Sequence, residues 1–261
     1  MSAGSVRQAV VLCAGRATRL GELARHGPKP MLPVAGRPLI EHIVTKLLGA
    51  GGFEQIVLVV GADAKFFESL FGDEPRVQFA HQTTPRGTAD ALLSASALLA
   101  GRFLVTYGDL WVATDDYGRL RESAESDGQP RLAVNRTDRP TGAAVYLEEE
   151  RIIRIVEKPI WDGQADTCWN AAGMYVLDRD LLHDCRAVSP SPRGELELTC
   201  AIQRTIDRGT PIFRYIMSQA QIDIGVPERY HALCAELSKA SSSSETVSAE
   251  RRIARPRPQA E

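Results

Sequence analysis

The first hundred residues alternate short β-rich runs with helical patterns, and this alternation leaves few architectures open to the chain. Four runs rich in apolar, mostly β-branched or aromatic residues indicate buried strands: Ala9–Leu12, Ile56–Val60, Val77–Gln82 and Phe103–Thr106. Helical patterns separate them, over 38–49, near 62–71 and from Thr88 to about Leu99. The order β-α-β-α-β-α-β predicts an α/β fold with a Rossmann-like, mostly parallel sheet and helices on both faces.

The second half of the chain changes character. Its predicted strands have shorter connections, as in a small antiparallel excursion: Leu132–Asn135, Ala143–Leu147, Ile152–Glu157 and Ala172–Leu177. Helices near 196–207 and 227–237 then flank a strand at Ile212–Ile216. We predict one domain over residues 6–237. Residues 238–261 are rich in Ser, Pro and Arg, lack apolar content and are predicted to form a disordered tail.

Composition excludes several classes of protein. The net charge of −2 provides no overall basic surface for nucleic acid or for an anionic membrane. The five cysteines are scattered and form no Cys-x-x-Cys pair, which argues against a disulfide framework or a zinc site. No apolar run is long enough to span a membrane, and no secretory leader is evident. We therefore expect a cytoplasmic protein with neither nucleic-acid nor membrane partners, and a homo-oligomer is compatible with the sequence.

The turn after the first strand carries phosphate-binding chemistry. Small residues in Leu12-Cys-Ala-Gly-Arg-Ala-Thr-Arg19 let backbone N–H groups approach a phosphate, and Arg19 supplies a cation. Lys29, held between two prolines, supplies a second cation. A dinucleotide fingerprint fails because Ala17 and Leu20 stand where glycines are needed, and a Walker A loop fails for want of Gly-Lys-Ser/Thr. The pattern favours a triphosphate site.

Two acidic residues lie in apolar surroundings and indicate a metal site. Asp109 ends the fourth predicted strand, and Asp223 stands in Gln221-Ile-Asp-Ile-Gly225. An unpaired charge in such segments would be costly, whereas two carboxylates suit one Mg²⁺ that keeps water and phosphate oxygens as its other ligands. Asp109 as a simple helix cap is the alternative.

A third motif joins an amide to a Gly-Thr turn. Gln82 ends a predicted strand, and Gly87-Thr88 opens the next helix. A side-chain amide has both a donor and an acceptor, as a nucleobase edge requires. The alternative is helix capping by Thr88 with Gln82 exposed.

The second half contains a further ordered set of polar motifs. Thr141-Gly142 precedes a strand, Glu157-Lys158-Pro159 follows one, and Trp169-Asn170-Ala-Ala-Gly173 leads into another. A glutamate can accept hydrogen bonds from hydroxyl groups, and a lysine can pair with a phosphate. A solvated Glu-Lys pair is the alternative.

Taken in order, these motifs resemble those of the sugar-1-phosphate nucleotidyltransferases, over roughly residues 8–237. That signature runs Leu-Ala-Ala-Gly-x-Gly-Thr-Arg-Leu, then Pro-Lys-Pro-Met-Leu-Pro-Val, and Ala17 departs from it. Arg86 replaces a usual leucine, and the stretch from Asn170 to Gly173 has one residue more than the family pattern. We expect a short form without the left-handed β-helix that some members append.

The resemblance implies a function and a role for each motif. NTP and sugar 1-phosphate would give NDP-sugar and pyrophosphate, with Mg²⁺ as cofactor. Catalytic roles fall to Arg19, Lys29, Asp109 and Asp223, and the two aspartates hold the metal. Nucleotide binding falls to Leu12, Ala14, Gly15, Thr18, Gln82, Gly87, Thr88, Tyr107 and Gly108. The antiparallel excursion binds the acceptor, through Gly142, Glu157, Lys158, Asn170 and Gly173.

Alternatives remain at this stage. The chain could bind nucleotide sugars as a catalytically silent regulatory relative, or transfer a nucleotide to a non-sugar phosphate acceptor. Gly87-Thr-Ala-Asp90 and Tyr107-Gly-Asp109 are most similar to uridylyl-transferring members, while the short chain fits guanylyl- and thymidylyl-transferring members equally well.

Overall fold

The computed structural model describes residues 5–15, 20–113 and 115–239. The strands are β1 (Val6–Leu12), β2 (Pro33–Val34), β3 (Arg37–Pro38), β4 (Gln55–Val60), β5 (Val77–His81), β6 (Arg102–Tyr107), β7 (Leu110–Trp111), β8 (Arg131–Arg136), β9 (Ala143–Glu148), β10 (Arg151–Glu157), β11 (Trp169–Asp178), β12 (Phe213–Ile216) and β13 (Ile222–Asp223). The α-helices are α1 (Leu39–Gly49), α2 (Ala64–Phe71), α3 (Thr88–Ser94), α4 (Asp116–Asp127), α5 (Leu181–Arg186), α6 (Leu198–Asp207) and α7 (227–239). Short 3₁₀ helices cover Gly21–His26 and Lys29–Met31.

One nine-stranded sheet runs through the molecule in the order β5-β4-β1-β6-β11-β8-β12-β10-β9. The first four of these strands are parallel, as the alternating pattern predicts. β11 is antiparallel to β6 and joins the second half to the first. The carboxyl ends of β4, β1 and β6 therefore meet at one edge of the sheet, where ligands bind in such folds.

Apolar side chains cover both faces of the sheet. On one face Val11 and Leu58 pack with residues of α1, α2 and α4. On the other face Val10 and Val57 pack with residues of α3, α5 and α6. Neighbouring residues of one strand thus belong to opposite cores, which explains the uninterrupted apolar runs of β1 and β4. The predicted α/β fold, with a central sheet and helices on both faces, is confirmed.

The antiparallel strands of the second half belong to the same sheet as the parallel ones. β8 and β11 pair with each other, and β9 and β10 form the opposite edge from β5. Residues 131–178 therefore extend the parallel sheet, and both halves of the described chain share one sheet.

The helix predicted from Thr88 to about Leu99 is shorter, and ends at Ser94. The Ser94 hydroxyl donates to the carbonyl of Asp90 at 3.1 Å. Beyond it the backbone bonds tighten to three-residue spacing, with the Ala95 N–H on the Leu92 carbonyl at 3.1 Å. Such bonds close turns rather than continue an α-helix.

Several predicted features lie outside the described residues. They are Thr18 and Arg19 in the first turn and nearly all of the predicted tail, from residue 240 onward. The boundary of the domain at 6–237 stays a prediction. None of the helices among the described residues has the length and apolar character that crossing a membrane requires.

Candidate functional site

The site forms where β1 and β6 end side by side. Leu12 pairs with Tyr107 at the last register position of the two strands. Beyond it, the Gly108 N–H donates to the Leu12 carbonyl at 2.9 Å, and the Cys13 N–H donates to the Val59 carbonyl at 2.8 Å. These bonds hold the start of the turn after β1 beside Gly108 and Asp109. Two cavities lie next to Asp109.

The first cavity has a volume of about 550 Å³ and contains most of the predicted nucleotide-binding residues. Its lining includes Leu12, Ala14, Gly15, Lys29, Gln82, Gly87, Thr88, Tyr107 and Asp109. Cys13 also lines it, a residue that the sequence analysis does not assign to the site. A Cβ on Gly15 would meet nothing within 4 Å, so this position keeps an open approach to the backbone.

Gly108 does not line the first cavity and lies in a tightly packed position. A Cβ at this position would lie 2.7 Å from Cys13 Sγ and 2.9 Å from Pro30 Cγ. Only glycine lets the end of β6 approach the turn after β1 and the loop that carries Lys29. This position packs three chain segments closely together, and the nucleotide contact of Gly108 stays a prediction.

Lys29 is the described cation nearest to Asp109. Pro28 begins the short 3₁₀ helix Lys29–Met31 in extended conformation, and Pro30 lies buried within it. This turn directs Lys29 Nζ to 3.4 Å from Asp109 Oδ2, with only 11% of the lysine side chain exposed. A buried ammonium beside the cavity supplies fixed positive charge for phosphate oxygens.

The second cavity, of about 850 Å³, contains all the predicted acceptor-binding residues. These are Gly142, Glu157, Lys158, Asn170 and Gly173. Asp109 and Asp223 also line it. The two cavities meet beside Asp109. Their linings share this residue and also Tyr107, Thr88 and Lys158.

The second strand pair of the site brings the two predicted metal ligands together. β13 pairs with β7 so that Asp223 faces Leu110, and the Ile224 N–H donates to the Asp109 carbonyl at 3.1 Å. Burial raises the pKa of Asp109, and the nearby Asp223 carboxylate raises it further, while Lys29 lowers it. Both carboxylates line the second cavity, where Asp223 Oδ1 accepts the Gly225 N–H at 2.7 Å and Arg229 Nη1 lies 3.9 Å from Asp223 Oδ2.

That arrangement fits a divalent cation. No group of three or more His, Cys, Asp or Glu side chains in the described part of the chain is placed to bind a metal. Mg²⁺ needs fewer protein ligands, since it retains water and substrate phosphates around one or two carboxylates. Asp109, which lines both cavities, and Asp223, which lines the second, are the pair that could hold such an ion.

Glu157 lies at the centre of a charged cluster in the second cavity. Its Oε2 accepts a hydrogen bond from Thr199 Oγ1 at 3.1 Å, and Arg193 Nη2 lies 3.3 Å from its Oε1. Arg193 also reaches Glu197 Oε1 at 2.5 Å. Burial raises the pKa of Glu157, and Glu197 raises it further, against the opposing effect of Thr199, Arg193 and Lys158.

A hydrogen-bonded turn at Gly142 forms another part of the wall of the second cavity. The Lys158 N–H donates to the Gly142 carbonyl at 2.6 Å, and the Gly142 N–H donates to Asn170 Oδ1 at 3.1 Å. Lys158 has a left-handed φ of 42°, which points the chain away from β10 directly after Glu157. The Asn170 amide also donates to the Ala171 carbonyl at 2.8 Å, so this side chain holds the Gly142 turn in place.

The additional residue between Asn170 and Gly173 is accommodated in a β-bulge. The register of β11 against β8 shifts between Ala171 and Tyr175. Gly173, with φ of 74°, lies inside the shift. The bulge keeps Asn170 and Gly173 on the lining of the same cavity.

Sequence reasoning missed Arg193, which lines both cavities together with Glu195, the first residue of a motif that matches the family in order but received no role. The available signal is the Ser-Pro-Arg-Gly turn immediately before Glu195-Leu-Glu-Leu-Thr199, where an arginine stands at the tip of a loop. Two buried acceptor atoms, Asn135 Oδ1 and Gln221 Oε1, also belong to residues of the second cavity and find no donor among the described residues. Acceptors of this kind suit a ligand rich in hydroxyl groups.

The comparisons with known proteins agree with this geometry. The family model of nucleotidyl transferases matches residues 8–240. The chain belongs to the nucleotidyl transferase family. Among curated members of related sequence, the bifunctional protein GlmU of Methanococcus maripaludis is 33% identical over 203 residues, which make up 77% of this chain and 47% of GlmU. The chain thus spans about half the length of the first such relatives.

A second family relative matches along nearly its whole length. The UTP–glucose-1-phosphate uridylyltransferase AglF of Haloferax volcanii is 30% identical over 228 residues, covering 85% of this chain and 92% of AglF. Solved structures share the fold. A UDP-glucose pyrophosphorylase complexed with UDP-glucose has a TM-score of 0.80 at 21% identity, covering 90% of this chain and 99% of that one. A putative glucose-1-phosphate thymidylyltransferase from Bacillus anthracis has a TM-score of 0.76 at 23% identity, covering 87% of this chain and 94% of that one.

Proposed function

We propose that this protein transfers a nucleotidyl group from an NTP to a sugar 1-phosphate, releasing pyrophosphate and forming an NDP-sugar. The observation that carries the proposal is the junction of the two cavities beside Asp109, with predicted nucleotide residues on one side and predicted acceptor residues on the other. The activity named for the relative AglF is of this class. We assign the reaction to a catalytic domain over residues 6–237.

The reaction needs no covalent bond to the protein. The acceptor phosphate oxygen is already anionic, and it attacks the α-phosphorus in line as pyrophosphate leaves. The chain contributes position and countercharge. Lys29 neutralises negative charge that develops on the leaving pyrophosphate, a role we also assign to Arg19.

Asp109 and Asp223 would hold Mg²⁺ at the boundary of the cavities. When bound, Mg²⁺ supplies positive charge to the phosphate oxygens of the nucleotide. Asp109 keeps its carboxylate in register through the backbone bond from Ile224 and through Lys29. In this proposal the Lys29 ammonium and the Mg²⁺ that Asp109 and Asp223 would hold both lie beside the same phosphates.

The second cavity orients the acceptor in this proposal. Glu157 accepts hydrogen bonds from sugar hydroxyls, while Asn135 and Gln221 present the buried acceptor atoms described above. Lys158 and Arg193 face the region between the cavities, where the acceptor phosphate must enter. The Gly142 turn, held by Asn170, closes the wall around the sugar.

The test measures pyrophosphate release with each of four NTPs against a panel of sugar 1-phosphates in the presence of Mg²⁺. We expect turnover with at least one pair, and Asp109→Asn should lower kcat by about a hundredfold or more. Asp178→Asn is the matched control. Asp178 Oδ1 lies 2.7 Å from Arg102 Nε, at the end of β6 that is remote from Asp109. The control should keep the wild-type kcat.

The outcome separates the alternatives. Near-normal turnover of Asp109→Asn in a folded protein would refute the assignment of the metal ligands. Nucleotide-sugar binding without turnover of any pair would refute the proposed reaction and favour a regulatory relative. Turnover only with a non-sugar phosphate acceptor would change the acceptor class.

A further inference from the structure

Arg229 is a second cation beside the aspartate pair, and it approaches the pair from the second cavity. Its Nη1 lies 3.9 Å from Asp223 Oδ2. Arg229 lines the second cavity and does not line the first, whereas Lys29 lines the first and not the second. Among the described residues, each aspartate therefore has one cation within 4.0 Å: Lys29 beside Asp109 and Arg229 beside Asp223.

Helix α7 determines where Arg229 lies. Four residues of this helix line the second cavity, and their spacing of three, four and seven positions is that of one helical face: Arg229, Ala232, Leu233 and Glu236. From another face, the Tyr230 hydroxyl donates to the Pro33 carbonyl at 2.7 Å. This bond and the buried Leu233 fix the helix, so a change of partner by Arg229 requires movement of its side chain only.

The two cations differ in how firmly they are held. Lys29 Nζ lies 3.4 Å from Asp109 Oδ2, and 11% of the lysine side chain is exposed. By contrast, 56% of the Arg229 side chain and 50% of the Asp223 side chain are exposed, and 3.9 Å is too long for a hydrogen bond. Water screens an ion pair of this kind. Lys29 is thus a fixed part of the site, whereas Arg229 can leave Asp223 at little cost.

Arg229 lies beside the oxygen of Asp223 that is open to a metal ion. Oδ1 accepts the Gly225 N–H at 2.7 Å, and none of the described residues donates a hydrogen bond to Oδ2. A divalent cation bound to Oδ2 would be close to the Arg229 guanidinium, and the two positive charges would repel each other. Arg229 and a metal ion are therefore competitors for the same oxygen.

We propose that Arg229 is an acceptor-binding residue that competes with the divalent cation for Asp223: the metal turns Arg229 into the second cavity, where its guanidinium binds the acceptor phosphate. The inference rests on the proposed function, because it takes the two aspartates as metal ligands and the second cavity as the acceptor site. The planar fork of N–H donors on a guanidinium matches phosphate oxygens. By reciprocity, a phosphate that binds Arg229 also favours the metal on Asp223.

The first measurement is binding of Mn²⁺ alone to the full chain at low ionic strength, where exposed charges act most strongly. The electron paramagnetic resonance signal of free Mn²⁺ reports binding without turnover. Asp223→Asn should weaken binding by at least about tenfold, which locates the ion. Arg229→Met keeps the aliphatic stem and should tighten binding by at least about twofold.

Arg139→Met is the matched control for the loss of a positive charge from this cavity. Arg139 lines the same cavity, but its Nη2 donates to the Trp161 carbonyl at 3.0 Å, and it forms no ion pair with either aspartate. The control should leave the affinity for Mn²⁺ unchanged. Arg229→Lys keeps the charge and should also bind Mn²⁺ as the wild type does.

The second measurement is steady-state kinetics at saturating Mg²⁺ with a substrate pair that turns over. Arg229→Met should raise the KM for the sugar 1-phosphate by about tenfold and leave the KM for the NTP within about twofold, because Arg229 lines only the second cavity. Arg229→Lys should restore part of the acceptor KM. A merely structural role would not strengthen metal binding while weakening acceptor binding.

The outcomes are distinct. An affinity for Mn²⁺ that stays unchanged in a folded Arg229→Met protein overturns the inference, and so does an unchanged acceptor KM. If Arg229→Met tightens Mn²⁺ binding but no sugar 1-phosphate yields pyrophosphate, the proposed reaction fails while the competition for Asp223 stands. Absence of Mn²⁺ binding, or binding that Asp223→Asn does not weaken, contradicts the proposed metal ligands and the inference together.

Discussion

Glu157 carries opposing demands in a single side chain. Its contact with Thr199 and Arg193 suits an ionised carboxylate, yet burial and the nearby Glu197 raise its pKa. An enzyme that uses this carboxylate to accept sugar hydroxyls must therefore keep it ionised in unfavourable surroundings. The proton that Glu157 takes up at low pH occupies an oxygen that the acceptor needs.

Acceptor binding should depend on pH through Glu157. Because its pKa lies above the ordinary value of about 4.3, protonation begins at a higher pH than for an exposed glutamate. The KM for the sugar 1-phosphate should rise as pH falls through this raised pKa, while the KM for the NTP changes little. Steady-state kinetics across the acidic range measures both constants.

Glu157→Gln is the control for ionisation of the sugar phosphate itself, which the variant shares with the wild type. The variant should have a higher acceptor KM throughout and lack the part of the pH dependence due to Glu157. A wild-type profile that coincides in shape with that of Glu157→Gln would show that another group titrates.

At the scale of elements, the β-bulge in β11 packs against residues at the junction of the two cavities. Gly173 has φ of 74°, and a Cβ there would lie 2.7 Å from Leu110 Cδ1 and 2.8 Å from Tyr107 Cδ2. Leu110 begins β7, which pairs with the strand of Asp223. The bulge therefore touches the segment that brings the two aspartates together.

Gly173→Ala should impair both stability and turnover. The added methyl group must displace Leu110 or Tyr107, and the left-handed backbone adds strain, for a loss of about 2–4 kcal/mol in unfolding free energy. Gly101→Ala is a matched control, because Gly101 has φ of 61° but no atom within 4 Å of its Cβ position. Denaturant unfolding of both variants separates the cost of displacing Leu110 or Tyr107 from the cost of the left-handed backbone. Equal losses would mean that backbone strain alone explains the result.

The elements differ in how far the sequence predicts them. β1, β4 and α1 follow directly from apolar runs and helical spacing, because both faces of the sheet are buried there. α4 is not predicted, since its sequence is acidic and only three of its buried residues, Tyr117, Leu120 and Ala124, have larger apolar or methyl side chains. Its first residue, Asp116, accepts hydrogen bonds from Tyr215 and Ser218, about a hundred positions away. Local patterns cannot register such a partner.

In the candidate site, too, local sequence patterns predict some residues, while others depend on partners that are distant in the sequence. Strand ends predict the turn after β1, Gln82 and Asp109 at one edge of the sheet, because parallel topology brings those ends together. The orientation of the Gln82 amide depends on the Gly87 carbonyl and the Asp90 carboxylate, which accept hydrogen bonds from its Nε2, and residue types alone leave it undetermined. Arg193 lies on a loop without periodicity, so its place between the cavities emerges only from the packing of α6 against β10.

At the scale of the whole molecule, Arg193 links the two cavities to the stability of the fold. It pairs with Glu157 and with the buried Glu197, and it lines both cavities. Under the proposed function, a cation in this position would serve phosphates in either cavity. Its loss should therefore affect both substrates, unlike a residue that belongs to one cavity.

Arg193→Met should lower kcat/KM for both the NTP and the sugar 1-phosphate by about 10- to 100-fold. It should also lower the Tm, because two carboxylates lose their countercharge. Arg208→Met is the control, since Arg208 pairs with the buried Asp184 at 2.6 Å and lines neither cavity. The control should lower the Tm with unchanged kcat/KM. A defect confined to one substrate would contradict a role for Arg193 between the cavities.

The position of β12 has a consequence for synthesis of the chain on the ribosome. β12 lies between β8 and β10, although its residues are made long after both of those strands. Until Phe213–Ile216 leaves the exit tunnel, the edge of β8 that pairs with β12 has no partner strand and is open to pairing with other chains. The parallel half of the sheet can form early, while the second half must wait for its last strand. Nascent chains of this protein therefore pass through a stage of high aggregation risk that ends with the insertion of β12.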